Sequence, residues 1–352
     1  MKKAGIALSV LLLALCFVLF LSFDKIGSIW SQNVKKQSSA RAREAAKVAP
    51  AVPGFPSFYK GIYLTSNSGK DFKKLQKYVS MAQEGRLNTL VIDVQDSRIK
   101  ESAIPKQNID YCIEKGFHTV ARVVVFPDGL KKYPVDPQYI ANKLAVAENA
   151  CKLGFREIQF DYIRFNDHGI LKKIPLKEKY AFIENFLRKA RAHLKPYNVR
   201  IAADVFGRIP LNKHDPIGQR MEGLDEVADV ICPMAYPSHY TWSKKLMSDP
   251  YTTVFITSKK AKERVTRAHI VTYIQAFKMK VKRANMPYEK YIHEQIRAVH
   301  DAGASGFILW NASQDYSIPC RVSRNYYTKG SSEIVSNDGP VSVDEGASKT
   351  TL

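Results

Sequence analysis

Acidic side chains are scarce in this 352-residue chain: 33 Asp and Glu stand against 54 Lys and Arg, for a net charge of +21. A surface that basic needs anionic company, whether nucleic acid, membrane lipid or an acidic cell-wall polymer. Cysteine is sparse as well. The five cysteines form no CxxC pair and no Cys/His cluster, which argues against a disulfide framework and against structural zinc. No glycine-rich dinucleotide fingerprint follows the first strand candidate; Ser66-Asn67-Ser68-Gly69-Lys70 stands there, and it is no phosphate loop either. A serine nucleophile elbow is missing. So is a His-x-His pair, because the eight histidines (118, 168, 193, 214, 239, 269, 293 and 300) are scattered. No lysine at a strand end suggests a Schiff base. What remains is a foldable composition: 45% hydrophobic and 25% charged residues exclude a disordered chain, a collagen and a coiled coil.

One long apolar run is present. Residues 4–23 carry no charge and follow Lys2 and Lys3. Twenty helical residues span roughly 30 Å, the thickness of a bilayer's hydrocarbon core. The run ends Phe20-Leu21-Ser22-Phe23-Asp24, without the small residues of a cleavage site. The expectation is a signal anchor over residues 1–23, with secretion after cleavage as the alternative. Lys2 and Lys3 favour a cytoplasmic N-terminus and so a periplasmic or cell-surface main domain, although Lys35, Lys36, Arg41 and Arg43 follow the run. Residues 24–57 read as a flexible tether. Residues 58–327 read as the folded domain, and 328–352 as a disordered polar tail.

Within the folded domain, short apolar runs alternate with amphipathic stretches. Strand candidates are 61–65, 89–94, 119–126, 157–162, 200–206, 230–236, 269–276 and 306–310. Helix candidates are 71–84, 107–115, 137–152, 176–194, 217–227, 243–267 and 288–302. Several strands are continuous apolar runs, as parallel strands buried on both faces should be. Eight such units over about 260 residues predict an α/β fold, a (β/α)8 TIM-type barrel. An open doubly wound sheet is the alternative. Residues 311–327 read as loop, which leaves the eighth helix in question.

In such a barrel, function sits at the carboxyl ends of the strands. An Asp inside an apolar strand costs several kcal/mol unless it is paired. Three strands accept that cost, at Asp93, Asp161 and Asp204. Asp93 has a structural reading, as a brace for Arg122 on the next strand. Asp161 and Asp204 lie on consecutive strands about 4.8 Å apart, which predicts carboxyl groups roughly 5–9 Å apart. One protonated acid and one ionised carboxylate at such spacing is the equipment of glycoside hydrolysis, with Arg122 or Arg164 holding one of the pair charged. Aromatic residues near the strand ends suit sugar rings. The candidate catalytic residues are Asp161 and Asp204. The candidate substrate-binding residues are Tyr63, Asp93, Arg122, Tyr162, Arg164, Tyr236, His239, Trp310 and Asn311. Met234 reads as core. No metal or cofactor is implied.

Several stretches also resemble one known family: Gly61-Ile62-Tyr63-Leu64-Thr65, Val91-Ile92-Asp93-Val94, Glu157-Ile158-Gln159-Phe160-Asp161-Tyr162-Ile163-Arg164-Phe165, Ala203-Asp204-Val205-Phe206-Gly207, Ile217-Gly218-Gln219, Pro233-Met234-Ala235-Tyr236-Pro237-Ser238-His239-Tyr240, and the segment from Gly303 to Ser313. Residues 58–316 resemble a (β/α)8-barrel family assigned as glycoside hydrolases, long carried as a domain of unknown function and distantly related to the alpha-amylase-like barrels. Where that family usually has Pro after the fourth strand's Arg-Phe, this chain has Asn166. By analogy with the amylase-like barrels, the resemblance implies a nucleophile at Asp161. Those barrels place a Glu acid on the fifth strand, where this chain offers Asp204.

The expected function is hydrolysis of a cell-envelope or matrix polysaccharide by paired carboxylates, with the polysaccharide and the inner membrane as partners. The rival is a glycan-binding barrel without turnover. The basic residues are spread along the chain with no nucleic-acid motif, so no nucleic acid is expected.

Overall fold

The computed structural model describes residues 54–96, 100–166 and 169–329. The signal anchor, nearly all of the tether and residues 330–352 of the tail lie outside them. Among the described residues, eight parallel strands close a barrel: β1 (Tyr59–Leu64), β2 (Thr89–Asp93), β3 (His118–Val124), β4 (Glu157–Asp161), β5 (Arg200–Phe206), β6 (Val230–Met234), β7 (His269–Gln275) and β8 (Gly306–Trp310). Each strand pairs with its neighbour in sequence, and β8 returns to β1. The order excludes the open sheet.

The main helices are α1 (Phe72–Glu84), α2 (Lys106–Glu114), α3 (Pro137–Leu153), α4 (Leu176–Leu194), α5 (Met221–Asp225), α6 (Pro250–Glu263), α7 (Tyr288–Asp301) and α8 (Ser317–Lys329), with short helices at Ser66–Lys70 and Lys244–Ser248. Local chemistry sets their ends. The Asp71, Asp136 and Asp249 carboxylates accept from the backbone N–H groups of Lys74, Gln138 and Thr252 at the starts of α1, α3 and α6. Gly154, at φ +102°, ends α3.

Three expectations change. The predicted helix 217–227 shrinks to α5, because Gly218 takes φ +80° and Ile217 C=O accepts from Phe165 N–H, tying this segment to the loop after β4. The predicted helix 243–267 is two helices, Lys244–Ser248 and α6, split where Asp249 caps and Pro250 begins the second. The predicted loop 311–327 contains α8, which takes residues 328 and 329 out of the expected tail. Its inner face was hard to read because small side chains lie on it. Cys320 packs against Gly85, and Ser323 Oγ donates to Gly85 C=O at 2.8 Å.

Side chains alternate along each strand. Ile158 and Phe160 of β4 face the helices, where Phe160 meets Phe186 of α4 edge-on at 5.2 Å. The barrel interior holds Tyr59, Val91, Val120, Ala202, Cys232, Tyr273 and Ile308.

Candidate active site

Strand β4 lines the interior with a file of polar residues, Glu157, Gln159 and Asp161, all at most 5% exposed. At the floor, Glu157 Oε2 accepts from Tyr59 Oη at 2.7 Å and lies 3.1 Å from His118 Nε2. One layer up, Gln159 Oε1 accepts from Tyr273 Oη at 2.8 Å, and its amide donates to Asp204 Oδ1. The top layer is Asp161. Its Oδ2 accepts from Arg122 Nε at 3.0 Å and Nη2 at 2.5 Å, and its Oδ1 accepts from the Tyr162 N–H at 2.5 Å. That last bond closes because Tyr162 takes φ +56°. A fork of two N–H groups on one carboxylate gives orientation as well as attraction.

Arg122 also reaches Asp93 Oδ1 at 2.5 Å, and Asp93 Oδ2 accepts from Tyr63 Oη at 2.5 Å. Its guanidinium lies 5.6 Å from the Tyr63 ring centroid and 5.2 Å from that of Trp310. Burial works against its charge, but Asp161 and Asp93 outweigh burial and hold the guanidinium protonated.

Asp204, at the matching level of β5, is 2% exposed. Burial, and next to it the charge of Asp161, raise its pKa well above the ordinary carboxylate value, against the opposing pull of Arg122 and the Gln159 amide. The two carboxyl groups face each other from neighbouring strands, one step beyond the paired Phe160 and Ala203. Burial and the adjacent Asp161 charge favour the protonated form of Asp204.

Above the pair opens a cavity of about 390 Å³. It is lined by Asp161, Asp204, Arg122, Tyr162, Arg164, Tyr236, His239 and Trp310, which brings together eight of the residues expected from sequence. Three do not line it. Tyr63 and Asp93 stand behind Arg122, and Asn311 braces the loop after β8 by donating to Ala276 C=O at 2.7 Å. Arg164 turns to Asp128 C=O at 3.1 Å, while Arg122 donates to Asp161. Met234, read as core, does pack against the interior cluster, and it lines the cavity as well. Burial lowers the pKa of His239, reinforced by Lys280, so its imidazole is neutral near pH 7.

Sequence reasoning missed Gln159, Phe206, Arg208 and Trp242. Gln159 was legible in principle, as the residue two before Asp161 and hence on the same face of the strand. Phe206 was legible in the same way, two residues after Asp204 on β5, whereas Arg208 and Trp242 lie beyond their strands and carry no periodic signal. Among the described residues, no group of three or more His, Cys, Asp or Glu side chains could hold a metal ion.

The barrel is similar to the glycoside hydrolase domain of PgaB (BpsB) from Bordetella bronchiseptica, with a TM-score of 0.58 and 10% identity over 76% of this chain and 98% of that one. It is also similar to the endo-beta-1,4-mannanase of Thermotoga petrophila (TM-score 0.58, 13% identity, 82% and 80% coverage). The spore cortex-lytic enzyme SleL of Bacillus cereus is a third (0.53, 13%, 78% and 75%). At these identities the likeness is one of fold. No curated protein matches. Residues 132–316, more than half of the chain, match the family described as "Putative glycosyl hydrolase domain". The chain belongs to this glycosyl hydrolase domain family.

Proposed function

We propose that the barrel hydrolyses glycosidic bonds in a cell-envelope or matrix polysaccharide, with Asp204 as the acid and Asp161 as the base or nucleophile. One observation carries this reading: a buried carboxyl group with a raised pKa stands beside an arginine-bound carboxylate at the floor of an aromatic-lined cavity. Asp204 donates its proton to the departing sugar oxygen. Arg122 and the Tyr162 N–H orient Asp161. Tyr236 and Trp310 pack against the sugar, and His239 offers a neutral imidazole. Tyr63 and Asp93 fix Arg122, and Asn311 fixes the loop beside Trp310.

Carboxyl groups about 5–5.5 Å apart suit direct attack on a sugar, and ~6.5–9.5 Å admits a water. Two ways of working follow. Asp161 attacks the sugar or activates water while Asp204 acts as the acid. Or the pair serves as a proton donor on one face, and an acetamido group of the substrate attacks. β-1,4-Mannan, which has no acetamido group, is cleaved only in the first case.

The experiment is turnover of chitin oligomers, peptidoglycan and β-1,4-mannan by wild type, Asp161→Asn and Asp204→Asn, read as new reducing ends. The expected loss is about 100-fold or more for each substitution. Equal rates in all three proteins remove the assignment. Binding without product in the wild type points instead to a glycan-binding barrel.

The apolar run 4–23 supports an anchored protein with its barrel outside the inner membrane. That run lies outside the described residues, among which no helix is long and apolar enough to cross a membrane.

A further inference from the structure

Among the described residues, three large hydrophobic side chains stand exposed: Phe72, Met279 and Trp242. Trp242 is the most exposed, at 58%, and of the three it alone lines the cavity that holds Asp161 and Asp204. What sets Trp242 apart is its place: an aromatic face on the wall of a cavity is available to a ligand bound there.

The ring is also held in place. Its face lies on the Tyr240 ring, with centroids 4.9 Å apart and planes tilted by 39°. Tyr240 is 1% exposed, and its hydroxyl is 2.7 Å from Thr257 Oγ1 on α6. The turn before Trp242 is pinned to β7, because Ser238 N–H donates to Gln275 Oε1 at 3.0 Å. The helix after it is capped by Ser243, whose Oγ accepts from Leu246 N–H at 3.3 Å. Gly207 sets the position of the assembly. A Cβ there would collide with Tyr240 Oη and Met234 C=O, so only glycine lets Tyr240 settle over the end of β5, the strand that carries Asp204.

We infer that Trp242 is an outer stacking platform for a sugar ring of the same polysaccharide, at least one unit removed from the bond that is cleaved, and that it makes the site prefer long chains over short ones. The inference rests on the hydrolase reading of this cavity. A rigid, amphipathic ring presents contact area at little cost in conformational entropy. Its apolar face suits the C–H face of a pyranose, and its place on the cavity rim suits a chain leaving the acid pair past β5 and β6. A protein or membrane partner would have no reason to reach the cavity wall.

The test compares oligomers of two to six sugars, in the β-1,4-linked N-acetylglucosamine and mannose series. Binding is titrated in an Asp161→Asn background, and turnover is measured in the wild type. The expected result is affinity that rises with length by at least about fivefold, a rise abolished by Trp242→Ala and largely kept by Trp242→Phe, with dimer binding unchanged in both. Because Trp242 is exposed, the melting temperature should not move, and this separates a lost platform from a damaged fold. Affinity independent of length, equal loss on dimers and hexamers, or no effect of Trp242→Ala overturns the inference while turnover leaves the hydrolase reading standing. If no oligomer of either series binds, the platform falls, and the hydrolase reading is judged separately by release of reducing ends from the polymers.

Discussion

Arg122 divides its donors between Asp93 and Asp161, and it is 5% exposed. Replacing it by Met leaves two carboxylates facing each other without a cation, a change that costs about 3–5 kcal/mol when a buried pair loses one partner. Arg122→Met is therefore expected to lower the denaturation midpoint sharply and to abolish turnover. Arg122→Lys keeps the charge but loses the fork, so it should retain more stability than activity. Urea melts alongside turnover measurements check both. Asp204 answers to pH. Its folded pKa is raised above the ordinary value of 3.8, so its stabilising contribution is fully present below 3.8 and is lost as pH rises through the folded value. The wild type should thus lose stability as pH climbs above about 4, by a slope that Asp204→Asn removes. Thermal melts across pH 4–9 test this, and identical slopes in both proteins would refute the buried proton. For the same reason, the alkaline limb of kcat/KM should lie well above the ordinary carboxylate range. Gln159→Leu strands both Tyr273 Oη and Asp204 Oδ1, for an expected loss of about 1–3 kcal/mol per stranded group.

At the scale of elements, the strands were readable from sequence because parallel strands buried on both faces must be apolar, and an Asp within such a run stands out. Asp161, Asp204 and Arg122 were legible on that ground. The helices were readable where an apolar stripe met a polar face, as in α4 and α7. Readability failed where packing relied on small or special residues. Cys320 and Ser323 hid α8, and the left-handed turn at Gly218 shortened α5. Trp242 was invisible because a loop residue has no period to betray its direction. Helix α8 packs on α1 and α7, so a chain ending at residue 316 exposes their apolar faces. That truncation should be soluble at much lower yield than the chain ending at 329 and should bind a hydrophobic dye, which size-exclusion chromatography and dye fluorescence would show. Gly207→Ala should shift the Tyr240–Trp242 loop and remove length preference before it removes dimer cleavage; a length series on this variant checks it.

At the scale of the whole molecule, the barrel is closed by the pairing of its first strand with its last: Tyr59 lies opposite Gly306, and Ile62 opposite Leu309. Nearly 250 residues separate those partners, so the seam is a contact of very high sequence separation, and loop closure must precede its reward. Gly306, at φ +143°, sits where a Cβ would strike the Tyr59 backbone, so the seam tolerates no side chain there. A nascent chain therefore carries the open edges of β1 and its newest strand until β8 has emerged, and an unpaired edge invites association with other chains. Synthesis and folding are in tension over that interval, and a chaperone that shields strand edges would act on this protein from the emergence of β1 until β8 pairs with it.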